Sequence, residues 1–196
     1  MSGGIGNDLY AVNDMRDKVI EGANAGDDTV KTDLEKYALT AEVENLPSTL
    51  KANATLTGNS AANTIMGNPD DDLIDGGAGN DLLKDAGGAD TFLFKTAIGA
   101  GNVDKIIDFN AAADTIKLEN TGAELFNDLA KGWLSADEFK VIGVGGSPVD
   151  ANDHILYNQT SGALFFDADG SGGAAKVQFA TITNGAVLGA DDFLIF

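Results

Sequence analysis

An apolar residue returns at every ninth position over much of the first half of the chain. That beat constrains the fold more than any other feature. Four consecutive nine-residue units begin at Gly58: GNSAANTIM (58–66), GNPDDDLID (67–75), GGAGNDLLK (76–84) and DAGGADTFL (85–93). Their sixth positions are Asn63, Asp72, Asp81 and Asp90, and their eighth are Ile65, Ile74, Leu83 and Phe92. A complete unit, GGIGNDLYA (3–11), opens the chain with Asp8 sixth and Tyr10 eighth. Between these the beat is weaker. VNDMRDKVI (12–20) places Asp17 and Val19 in the two slots, and after two extra residues ANAGDDTVK (23–31) places Asp28 and Val30 there. Leu39 follows Val30 by nine and Leu56 precedes Ile65 by nine, but from 40 to 50 Leu46, Pro47 and Leu50 compete for the inward slot. Such a period marks a repeat architecture. A flexible Gly/Asp linker has no reason to hold apolar residues in phase.

Each half of the unit has a physical reason. Glycine at the first, second and fourth positions permits positive φ and a tight turn. Such a turn can aim successive carbonyls into one small space, and the sixth-position carboxylate sits at its edge. These are hard oxygen donors, of the kind that suit Ca²⁺. The last three residues are too few for a helix and suit a short strand whose eighth residue points inward. Two units then make one coil of 18 residues, and units 18 apart stack. Stacking puts Asn63 and Asp81 on one side and Asp72 and Asp90 on the other. A cation between stacked turns would meet a side-chain oxygen from each, plus backbone oxygens around Gly67, Gly76, Gly77, Gly79, Gly87 and Gly88. Asp8 and Asp28 share a side and Asp17 faces the other, with the insertion at 21–22 expected to disturb stacking there.

Composition excludes several classes. With no cysteine, thiol chemistry and disulfides are impossible. With one histidine, His154, a zinc site built from several His or Cys cannot form. A net charge of −19 repels nucleic acid and anionic membrane surfaces, so a cation is the natural partner. Hydrophobic residues make up 43%, enough for a sizeable core, and no run approaches the ~18 apolar residues of a membrane span.

The units resemble the G-G-x-G-x-D-x-U-x nonapeptide of RTX proteins, the hemolysin-type calcium-binding repeats. The resemblance implies a parallel β-roll with Ca²⁺ between turns, export by a type I secretion machine, and folding in extracellular calcium. Asn59, Ser60 and Ala61 depart from the pattern in the first unit, Asn63 replaces its Asp, and Asp85 replaces a first-position Gly. These departures are expected to weaken the outer sites and leave the 67–90 side strongest.

Beyond Phe94 the nonamer fades. Asp104-Lys105-Ile106-Ile107-Asp108-Phe109 resembles the D-x-I-x-D-F segment that ends β-rolls in this family, and Asp104 and Asp108 either bind a last Ca²⁺ or form an acidic strand edge. Residues 114–118 alternate as a strand, 123–131 read as a short helix, and Ser135-Ala136-Asp137-Glu138 fits a capping box. Leu188 to Phe193 echoes Leu134 to Phe139, which suggests two similar turns. A hairpin is expected over 155–157 and 163–166, with a third strand at 176–180. Asp167-Ala168-Asp169-Gly170 resembles half an EF-hand loop but lacks the closing Glu, since Gln178 stands there. It reads as an Asx turn or a minor calcium position. Trp133 is expected in the core of a cap, and His154 at the surface or packed in the cap, without a catalytic role. The terminal Asp191-Asp192-Phe193-Leu194-Ile195-Phe196 resembles a type I secretion signal and also suits a last strand.

These readings give an all-β chain: a parallel β-roll, or β-solenoid, at 1–95, irregular at 32–57, and a mostly antiparallel β cap with short helices at 96–196. The expected role is a monomeric, secreted or cell-surface calcium-binding module of a bacterial protein. It would fold on binding Ca²⁺ after type I secretion and support an upstream effector region. The alternative is a calcium-dependent adhesin or surface-layer interaction module. No catalytic residues are expected in this chain. The partners are calcium ions, the secretion machinery and an upstream domain, with no nucleic acid and no membrane span.

Overall fold

A three-residue strand cannot satisfy its own backbone and needs neighbours on both sides. The chain supplies them by winding. The computed structural model describes residues 1–121, 126–143, 149–171 and 173–196. Its first strands are β1 (Leu9–Val12), β2 (Thr29–Thr32), β3 (Lys36–Ala38), β4 (Asn45–Pro47), β5 (Thr55–Thr57), β6 (Thr64–Met66), β7 (Leu73–Asp75), β8 (Leu82–Lys84), β9 (Thr91–Phe94), β10 (Asp104–Ile106) and β11 (Thr115–Leu118). They form a parallel solenoid with two sheets. One stacks β1-β2-β4-β6-β8-β10 and the other β3-β5-β7-β9-β11.

The eighth-position residues become two apolar columns. Leu46, Ile65, Leu83 and Ile106 lie in register on one sheet, and Tyr37, Leu56, Ile74, Phe92 and Ile116 on the other. All but Tyr37 are fully buried. At ~1.5–3 kcal/mol per buried Leu, Ile or Phe, these columns are the main apolar stabilisation of the roll. The ladder is continuous through 32–57. Leu46 takes the inward slot, paired with Ile65, and Pro47 lies beside Met66. The count slips there because Thr29 pairs with Asn45 and Asn45 with Thr64, whereas the later coils repeat every 18 residues, as in Thr55 with Leu73.

Later strands are β12 (Gly132–Trp133), β13 (Phe139–Ile142), β14 (Ile155–Asn158), β15 (Ala163–Phe166), β16 (Val177–Ile182) and β17 (Phe193–Ile195). The β14–β15 hairpin and the third strand, β16, are antiparallel, with a bulge at Leu164/Phe165. β16 also lies parallel on β10, and β17 parallel on β11, so the last residues wind one further coil and set Ile182 and Phe193 on the two columns.

Two expectations need correcting. Residues 126–131 are turns rather than helix, and 122–125 lie outside the described residues; among the described residues the helical turn is the 3₁₀ segment Ala190–Asp192. Phe126 and Leu129 fill the core here from a turn, and no repeating helical stripe is needed. Trp133 is 61% exposed, because β12 is an edge strand and its neighbours Gly132 and Leu134 face the protein instead. The two echoing turns do match. The Glu138 carboxylate accepts the Ser135 N–H at 3.1 Å, and the Asp192 carboxylate accepts the Gly189 N–H at 2.7 Å.

Candidate metal centre

Most strands begin with a residue whose carboxylate is turned back along the stack; Asn63 and Ala54 hold that place without one. On one edge Asp8, Asp28, Glu44, Asn63, Asp81 and Asp104 stand at or just before β1, β2, β4, β6, β8 and β10. On the other Ala54, Asp72, Asp90 and Asp114 precede β5, β7, β9 and β11. One oxygen of every carboxylate after Asp8 accepts the backbone N–H of the equivalent residue one coil earlier. Asp8 donates to Asp28 Oδ1 at 2.8 Å, Asp28 to Glu44 Oε2 at 2.7 Å, Asn63 to Asp81 Oδ1 at 2.7 Å and Asp81 to Asp104 Oδ1 at 3.0 Å. Across the roll Ala54 donates to Asp72 Oδ1 at 2.6 Å, Asp72 to Asp90 Oδ1 at 2.7 Å and Asp90 to Asp114 Oδ1 at 3.0 Å.

The second oxygens decide what the turns can hold. Oδ2 of Asp8, Asp28, Asp81 and Asp90 is buried with no hydrogen-bond partner. Asp72 differs, since its Oδ2 accepts the Asn68 N–H at 2.7 Å and the Asn68 side-chain amide reaches its Oδ1 at 3.0 Å. Asn63 is a neutral rung: its Oδ1 accepts the Asn59 N–H at 2.8 Å and its Nδ2 donates to the Val43 carbonyl at 3.0 Å. The Asp108 carboxylate accepts the Asp85 and Ala86 N–H groups at 3.1 and 3.2 Å.

Glycines line the same spaces for two different reasons. A Cβ on Gly67 would stand 2.5 Å from Asp72 Oδ2 and 2.7 Å from the Asp85 carbonyl oxygen, so close approach, not φ, demands glycine at the first position. A Cβ on Gly76 would likewise meet Asp81 Oδ2. Gly77, Gly79, Gly87 and Gly88 have φ of +88°, +122°, +101° and +128°, which only glycine adopts cheaply. Gly79 and Gly88 also pass under the Ala61 and Asp70 carbonyls of the neighbouring coil.

Burial pushes these carboxyls up, to about 6 for Asp81, about 7 for Asp85 and Asp90, and about 8 for Asp104, while backbone N–H donors pull the other way. Like charges add to the rise: Asp108 and Asp114 around Asp85, Asp114, Asp72 and Asp71 around Asp90, Asp81 and Asp75 around Asp104. Ion pairs among the described residues lie elsewhere: Arg16–Asp14, Lys95–Asp75 at 2.7 Å and Lys140–Asp153 at 3.3 Å. Buried, unpartnered carboxylate oxygens beside backbone carbonyls fit a hard divalent cation such as Ca²⁺.

Two groups of three carboxylates have ligand oxygens mutually within 4.8 Å: Asp8, Glu21 and Asp28, and Asp85, Asp90 and Asp114. Glu21 belongs to the insertion expected to disturb stacking, and Asp85 to the departure expected to weaken a site. Sequence reading also missed Glu44 and Asp114. A signal was present: Glu44-Asn45-Leu46 and Asp114-Thr115-Ile116 keep the two-residue offset from carboxylate to inward residue seen in Asp81-Leu82-Leu83. In the Asp167 turn, Asp169 Oδ2 accepts the Ala174 N–H at 2.9 Å, and His154 Nδ1 lies 2.8 Å from the Asp167 carbonyl, which ties His154 into local structure.

No described helix is long and apolar enough to cross a membrane. A search of curated proteins found no match. A family model described as the RTX calcium-binding nonapeptide repeat, in four copies, matches residues 52–83, the stretch in which the coils repeat most regularly. The chain thus carries an RTX, hemolysin-type calcium-binding repeat region, wound as a parallel β-roll.

Proposed function

We propose that the chain is a calcium-operated folding module of a type I secreted bacterial protein. Without Ca²⁺ its stacked carboxylates repel and keep the chain open for threading through an export channel. In extracellular calcium, ions enter between the turns through Asp8, Asp28, Asp72, Asp81, Asp90, Asp104 and Asp108, and binding energy becomes folding energy. Extracellular calcium modules bind in the range of ~10⁻⁴–10⁻³ M, which matches that switch. The folded roll would support an effector region upstream. The observation that carries this reading is the row of buried carboxylates whose second oxygens have no partner.

Asp81→Asn tests it. Asn63 holds the equivalent place one coil earlier, so an amide is compatible with the backbone there. The variant is expected to raise the calcium concentration at half-folding by about threefold to tenfold, read by circular dichroism. An unchanged midpoint counts against the reading.

One observation favours a second reading as a calcium-dependent surface-interaction module. Exposed Trp133 lines an open groove of about 400 Å³ with Asn53, Asp71, Thr91, Thr115 and Lys117. Calcium-dependent adsorption to polysaccharide would support it.

A further inference from the structure

We propose that Asp85, Asp90 and Asp114 form a calcium site of higher charge than the regular steps of the roll, and that it fills first as calcium rises. The proposal rests on the calcium reading above and assigns a role to a residue that breaks the repeat. Gly67 and Gly76 hold the first position in the two preceding units, and Asp85 holds it here.

Geometry separates this step from the others. Asp85, Asp90 and Asp114 are 2%, 1% and 5% exposed, and Oδ2 of both Asp85 and Asp90 is buried without a partner. The carboxylates are held in place before any ion arrives. Asp85 Oδ1 accepts the Gly87 N–H at 2.8 Å, and Asp114 accepts the Asp90 and Asn110 N–H groups at 3.0 and 2.7 Å. No Lys or Arg pairs with any of the three among the described residues. A cavity of about 410 Å³, lined by Lys84, Asp85, Asp108 and Asp114, gives access from solvent.

Charge count and rigidity tune the calcium affinity of oxygen sites over decades. This step gathers three carboxylates. The Asn63–Asp81 step offers one and an amide, and the turn that carries Asp72 has Gly67 at its first position, where this one has the carboxylate of Asp85. The other group of three, Asp8, Glu21 and Asp28, also leaves one oxygen of each member without a partner, but Asp8 and Glu21 are only partly buried, so solvent screens it more.

Calorimetric calcium titration of the chelator-treated full chain tests the assignment. The wild type is expected to show a tight class of about one ion ahead of weaker ones. Asp85→Gly restores the glycine of the repeat, and Asp85→Asn keeps the shape without the charge. Both are expected to lose the tight class, so that the tightest remaining site is weaker by about tenfold, while the weaker ions and the calcium-dependent β spectrum remain. A tight class that survives in either variant, or an Asp85→Gly chain that binds more tightly throughout, would overturn the proposal. No heat from the wild type would overturn the calcium reading itself, and this inference with it.

Discussion

Asn63 and Asp81 stand one above the other in successive coils and differ by one amide. Asn63 closes its own hydrogen bonds, whereas Asp81 leaves an oxygen buried and open, so one side chain decides whether a rung keeps a free oxygen to offer a cation. Sequence reading found these rungs where the nine-residue count is unbroken. It assigned first-position glycines the wrong reason, because the clash arises only once the sixth-position carboxylate of the same turn folds back over the glycine, which spacing alone does not report. It also could not see that Asn68 satisfies Asp72. The second position of the last unit shows what departure costs. Ala86 holds φ of +71°, and its exposed side chain has no close packing to offset the strain. Ala86→Gly is expected to stabilise the folded chain by about 1 kcal/mol, measured by denaturant unfolding in calcium. A loss of stability would show that Ala86 makes a contact more valuable than the strain it carries.

At the scale of the element, the turn sets how much charge one space must hold. The turns before β10 and β11 lengthen the step from 18 residues to 23 and 24, which is why counting by nine lost Asp114. The same turns bring Asp104 over Asp81 and Asp114 over Asp90. Burial and neighbouring charge push the carboxyls of Asp81, Asp90 and Asp104 up to about 6, about 7 and about 8 in the fold, against about 3.9 in an unfolded chain. The calcium-free fold therefore binds more protons than the unfolded chain. The stability from these groups is complete below about pH 4 and is lost as pH rises through 6 to 8. Calcium competes with those protons, so its affinity is expected to increase about tenfold or more from pH 6 to pH 8, with proton release on binding. Calorimetry in buffers of different ionisation enthalpy measures both. A pH-independent affinity without proton release would mean that the ions sit away from these carboxylates.

For the molecule as a whole, two opposed features meet. The two apolar columns run the length of the roll and continue onto Ile182 and Phe193, while 31 acidic residues against 12 basic ones push the coils apart. The columns were legible because inward residues recur at fixed spacing. The closing coil was not, because β16 and β17 dock on β10 and β11 from more than seventy residues away, a distance no local period reports. In the proposed function, cations between the turns would let both features coexist. Far-UV circular dichroism of the full chain, first in excess chelator and then with calcium added, tests this most directly. The account predicts a largely unfolded spectrum that converts cooperatively to a β spectrum as calcium reaches the millimolar range. A chain already fully β-folded in chelator, and unchanged by calcium, would contradict it.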